Sequence, residues 1–161
     1  MFNLFKAATF EDNHLGLLTR SRGHWKGSVT LDQHGKIELS LAGGRQSPDS
    51  LCLAQAHELA AQYDSLLPQI QASLFEHYEP YRDADSAGEL PEDSEPFPKI
   101  DRAEDVWPHV FAERVCIELI QGSPQAGPSI EIAYRVTWDE EHTVGARIQN
   151  GKLWELCGSV V

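Results

Sequence analysis

The chain has 161 residues, 41% of them hydrophobic and 24% charged, which suits one soluble domain with a sizeable core. Its 25 acidic and 13 basic side chains leave a formal net charge of -12. That balance argues against nonspecific binding to nucleic acid or anionic lipid, because both need a basic surface. Cys52, Cys116 and Cys157 form no close pair and no CxxC, the pattern of reduced thiols in a cytoplasmic protein. No run reaches membrane-spanning length, and the apolar start lacks the basic flank and the length of a secretion signal.

Residues 1–13 are expected to hold a short strand or an arm. Strands are expected over residues 15–20 and 24–31, separated by the turn composition Ser21-Arg22-Gly23. Trp25, Val29 and Leu31 share one parity and so one face; Ile37, Leu39 and Leu41 do the same on the next strand. A three-residue loop, Gln33-His34-Gly35, sets Leu31 opposite Ile37 and Val29 opposite Leu39, with Gly35 in the left-handed region. These three strands make an antiparallel meander.

Residues 42–46 break the sheet. Ser47 is expected to cap a helix, with Pro48 at its first position and Asp49 adding favourable charge. Leu59, Tyr63, Leu66, Ile70, Leu74 and Tyr78 recur at spacings of three and four. This predicts one long helix over about residues 48–79, kinked at Pro68 and ended by Glu79-Pro80-Tyr81, with a break into two helices as the alternative. His57 and His77 lie near the stripe and read as structural.

Residues 83–105 are the most acidic segment and also hold Pro91, Pro96 and Pro98. They read as a solvated loop pinned by Leu90, Phe97 and Ile100, or as an acidic lip that receives a basic partner through Glu92, Asp93 and Glu95. A short helical turn is expected over residues 103–109. Val115, Ile117 and Leu119 then alternate on a strand. Ile130, Ile132, Tyr134, Val136 and Trp138 alternate on the next, five consecutive matches to a period of two. Residues 143–149 and 152–156 form a hairpin closed by Asn150-Gly151, with Ile148 opposite Leu153 and Val144 opposite Cys157.

Between those strands lies Trp138-Asp139-Glu140-Glu141-His142-Thr143-Val144-Gly145, where three carboxylates, an imidazole and an indole occupy five positions. Adjacent strand residues point to opposite faces, so these groups converge only if the stretch is a turn. As a turn it admits two readings. Trp138, Asp139, Glu140, Glu141 and His142 form a recognition rim, or Asp139, Glu141 and His142 ligate a metal in a metal-binding protein or metal-dependent hydrolase. No GxSxG, Walker loop or GxGxxG is present, and nothing calls for a cofactor. The cysteines sit in apolar or strand contexts and read as core residues.

The same stretch resembles the WDxEHxxG motif of several uncharacterised bacterial domain families, domains of unknown function. Their members also carry an LGxL strand followed by a GxWxG-like strand, here Leu15-Gly16-Leu17-Leu18 and Gly23-His24-Trp25-Lys26-Gly27. Thr143 stands where a Gly is common. Some members resemble immunity proteins encoded beside toxins. The resemblance implies a small cytoplasmic binding protein, and the acidic charge of the chain suits a non-enzymatic one whose partner is a basic protein such as a toxin. It supplies no catalytic residues.

Together these features predict an α+β fold over residues 1–161 as one domain. Its antiparallel sheets of about six strands, an N-terminal and a C-terminal meander, pack on one long central helix.

Overall fold

The computed structural model describes residues 6–91 and 96–158. Strands β1 (Thr9–Asp12), β2 (Gly16–Ser21), β3 (His24–Leu31) and β4 (Gly35–Leu41) run as an antiparallel meander. Helix α1 (Ser50–Ser86) and a 3-10 helix, η1 (Ala103–His109), follow. A second meander then comprises β5 (Val110–Glu118), β6 (Ser129–Val136), β7 (Asp139–Gln149) and β8 (Lys152–Cys157).

The two meanders are one sheet of eight strands in sequence order, not about six strands in purely antiparallel groups. The difference arises at the helix. Its crossover returns the chain to the end of the sheet from which β4 started, so β5 lies parallel to β4, with Leu39 beside Val115 and Leu41 beside Ile117. The two-face alternation of the strands reports parity but is silent on this direction.

Helix α1 covers one face of the sheet and touches β3, β5, β8 and η1. The predicted stripe is its buried side: Leu59, Tyr63, Leu66, Ile70, Leu74 and Tyr78, extended towards the N-terminus by Cys52 and Ala56. Against it lie Trp25, Leu31, Leu39, Leu41, Val115, Ile117, Ile132 and Tyr134, all fully buried. The other face carries cross-strand ion pairs. Arg147 bridges Glu131 (2.7 Å) and Glu155 (2.8 Å), and Arg135 meets Glu113 at 3.3 Å.

Four local expectations are corrected. The N-cap is Asp49 rather than Ser47: its carboxylate accepts from the Leu51 and Cys52 amides. Residues 43–48 are instead held as a closed loop, with Gly43 bridged to Pro48. A Cβ on Gly43 would fall 2.6 Å from the Pro48 Cα, so the backbones meet there only because residue 43 has no side chain. The carbonyl of Gly44 accepts from the Trp25 indole (3.1 Å) and the Arg20 guanidinium (3.0 Å).

The helix also runs through both Pro68 and Pro80 and stops at Ser86. Its stop signal is Gly88, at φ +73°. The Gly88 and Glu89 amides reach back to the Asp85 and Ala84 carbonyls, a Schellman closure. Pro80 is tolerated because buried Tyr78 and hydrogen-bonded Tyr81 fix the helix on both sides of it. The acidic segment therefore begins inside the helix.

The β3–β4 pairing is two residues tighter than expected. Leu31 faces Gly35 and Val29 faces Ile37, around the loop Asp32-Gln33-His34. A two-residue slip keeps every side chain on its own face, so facing alone cannot exclude it. Gly35 is left-handed as expected, at φ +76°, and Gln33 shares that conformation. At the other hairpin, Asn150 and Gly151 form the expected left-handed pair, and Ile148 faces Leu153. A bulge at Trp154 then advances the partner, so Cys157 meets Gly145 rather than Val144.

In the middle of the core, the hydroxyls of Tyr63 and Tyr134 bond to each other at 2.9 Å, with both residues fully buried. Burial pushes Tyr63 up to about 12 and Tyr134 well above its ordinary value, so both phenols stay protonated. Either single Tyr→Phe change leaves one buried hydroxyl without this partner and is expected to cost about 1–3 kcal/mol. The Tyr63→Phe/Tyr134→Phe double variant is expected to recover most of that loss. A double-mutant cycle by urea unfolding measures the coupling, and additive losses would contradict it.

Candidate functional site

Thr137 and Trp138 form a two-residue turn between β6 and β7, closed by the Val136–Asp139 pair. Pairing resumes at Arg135–Thr143, so Glu140, Glu141 and His142 stand outside the ladder as a bulge. This irregularity gathers the motif at one corner. The turn is tied to η1, since the Thr137 amide donates to the His109 carbonyl at 3.0 Å.

Trp138 and Asp139 point inward. Trp138 is 5% exposed; its indole N–H donates to His77 Nδ1 at 3.0 Å, and its ring meets Tyr78 edge-on at 5.5 Å. Asp139 is 7% exposed. Its carboxylate accepts from the Tyr81 hydroxyl at 2.6 Å and from His142 Nδ1–H at 3.0 Å. Burial by itself would raise the Asp139 pKa. The hydrogen bonds from Tyr81 and His142, the nearby imidazole and the Glu141 amide outweigh it, so the carboxyl is held below its ordinary range. Tyr81 moves the other way, up to about 12, through burial and then through the charge of Asp139. Burial lowers the pKa of His77, against the opposing pull of Asp139. The corner is thus a neutral imidazole, an ionised carboxylate and a protonated phenol.

Glu140, Glu141 and His142 are exposed. They edge a groove of about 780 Å3 whose walls include Leu90, Pro91, Phe97, Pro98 and His109. The far wall is fixed by Tyr78, whose hydroxyl donates to the Pro98 carbonyl and accepts from the Ile100 amide, while its ring stacks on Phe97. The groove therefore joins an apolar wall to a carboxylate rim. Of the other predicted site residues, Glu92, Asp93 and Glu95 lie outside the described residues. Pro91 and Pro96, on either side of them, line the groove.

The alternative metal set is arranged differently from the expectation. Asp139 and His142 bond to each other. Among the described residues, one group of three ligand-type side chains converges elsewhere: Asp12, His14 and His57. His77, structural as expected, and Tyr81, which the sequence does not single out, hold the corner together. Their helical spacing carried the signal, but Pro80 hid Tyr81 beyond an assumed helix end. Burial raises the Cys52 thiol to about 12 and the Cys116 thiol to about 11, values that suit core residues rather than nucleophiles.

A family model described as "Domain of unknown function (DUF6985)" matches residues 14–159. No curated protein and no solved structure shows significant similarity to the chain. No described helix is long and apolar enough to cross a membrane.

Proposed function

The chain belongs to the DUF6985 family, and because that description assigns no chemistry, we infer its function from the corner itself: a non-enzymatic binding protein that takes a basic segment of a partner protein. The observation that carries this reading is the division of labour within the motif. Trp138 and Asp139 are consumed by internal bonds, while Glu140 and Glu141 remain exposed beside an apolar wall. A lysine or arginine against the two carboxylates, with a neighbouring apolar side chain in the groove, matches that surface. The net charge of -12 adds long-range attraction for such a partner. A bacterial cytoplasmic immunity protein that occludes a basic toxin surface fits both features, and it agrees with the family resemblance of the WDxEHxxG stretch. A metal-dependent hydrolase built on Asp139, Glu141 and His142 has less support, because among the described residues these three do not converge as a ligand group.

The test screens the products of the neighbouring genes for a basic protein that binds, the absence of any counting against the reading, and measures that binding by calorimetry at low and high salt. Glu140→Lys/Glu141→Lys is expected to weaken binding at least about tenfold, and salt to weaken the wild-type complex steeply. Both residues are exposed, so the double variant keeps the fold. An affinity untouched by both the charge reversal and salt would overturn the reading.

A further inference from the structure

We propose that Asp12, His14 and His57 form a binding site for one divalent transition-metal ion of the zinc class, clamping the β1–β2 hairpin to helix α1. The site lies apart from the groove and is independent of the function proposed for it. Asp12 closes β1, His14 stands in the turn that leads to β2, and His57 is on the early part of the helix. One nitrogen or oxygen from each lies within 4.8 Å of the others.

Two of the three ligands are already oriented. The Asp12 side chain is 8% exposed, and its Oδ1 accepts from the His14 and Leu15 amides, both at 2.8 Å. These bonds fix the carboxylate plane. His57 Nε2 lies 2.9 Å from both Oδ1 and Oδ2, so the imidazole already faces the carboxylate. The His14 ring is 4.7 Å from the His57 ring, centre to centre, and is exposed.

Ligand atoms bound to a tetrahedral zinc ion stand about 3.3 Å apart. The His57–Asp12 contact must therefore open by a few tenths of an ångström and His14 must swing inward, a small motion for a side chain in an exposed turn. Two neutral imidazoles and one carboxylate, with water completing the shell, suit Zn2+, Co2+ or Ni2+ better than the oxygen-seeking Mg2+ or Ca2+. The strongly acidic chain favours a cation at its surface.

His14 separates this proposal from a plain hydrogen-bonded tether. The Asp12–His57 contact holds the hairpin without the His14 ring, whereas a metal needs it. Full-length protein stripped with a chelator is titrated with Co2+ and followed by absorbance. One equivalent is expected to bind, giving visible d–d bands without the sulfur-to-cobalt charge-transfer band that the cysteines would produce. His14→Gln is expected to leave metal-free thermal stability unchanged. It should weaken Co2+ binding, and Zn2+ binding by competition, at least roughly tenfold, the loss that follows even from removing an outer-shell partner. Failure to bind a saturable equivalent, a charge-transfer band from sulfur, or unchanged affinity in His14→Gln would each overturn the proposal.

Discussion

Trp138→Ala is expected to be among the most destabilising single changes outside the centre of the sheet, costing about 3–5 kcal/mol. The indole fills the space between the β6–β7 turn and α1, where it touches His77 and Tyr78. Its removal leaves a cavity and also strips His77 Nδ1 of its donor. Trp138→Phe keeps much of the volume but loses the N–H, so its cost separates packing from hydrogen bonding and is expected to be less than half as large. Chemical unfolding of the three proteins measures both terms. A Trp138→Ala loss below about 0.5 kcal/mol, the ordinary range of a surface change, would show that the corner is not packed as described.

Acid is expected to lower stability in two stages, and the same corner contributes to both. Burial holds the folded-state pKa of His77 below its ordinary 6.5, and that of His34 likewise. The unfolded chain therefore binds protons that the folded chain refuses. Stability is full above pH 6.5 and falls as pH drops from there towards the folded-state values. Protonation of His77 also removes the lone pair that accepts from Trp138. Asp139 acts lower down. Burial raises its pKa, but the Tyr81 and His142 bonds prevail, leaving it below its ordinary 3.8. Its contribution is present above that value and is lost as pH falls through the folded-state pKa. Asp12, held low by the Leu15 and His14 amides and His57 against the effect of burial, adds in the same window. Urea midpoints from pH 8 to pH 3 are expected to decline first below about 6.5 and again below about 4. Asp139→Asn is expected to cost about 1–3 kcal/mol at neutral pH and to shrink the second decline while leaving the first. A wild-type midpoint that stays level from pH 7 to pH 5 would contradict the neutral state of the buried imidazoles.

What could be read from residues alone was the periodic part of the fold. Alternation from Ile130 to Trp138 placed β6, Asn150-Gly151 placed the last hairpin, and the stripe from Leu59 to Tyr78 placed the buried side of the helix. Features that depend on what touches them from elsewhere stayed hidden. Pro80 carries a local penalty of about 3 kcal/mol in a helix, and only the contacts of Tyr78 and Tyr81 show that the fold overrides it. Ser47 and Asp49 are both good caps by type, and the Gly43–Pro48 bridge decides between them. The candidate site divides in the same way. Trp138 to His142 stood out by composition, and the stretch proves to be the end of a two-residue turn followed by a bulge in β7 with an exposed edge. Its internal bonds run to Tyr81 and His77 across many residues of sequence, and so do those of Asp12 to His57.

The parallel seam between β4 and β5 has a consequence for how the chain reaches this structure. Every other strand pair is joined by a loop, whereas the seam pairs Glu38 with Arg114 across the entire helix and the segment after it. Closing so long a loop is the entropically costly step, so the two meanders can form locally and early while their union waits. Until it occurs, β4 and β5 are open edges carrying Ile37, Leu39, Val115 and Ile117, a template for pairing with another chain. The edges that remain in the finished sheet are β1 and β8, only 4 and 6 residues long. The hazard of aggregation therefore belongs to the unfinished molecule, and the rate at which the helix brings β5 to β4 sets how long it lasts.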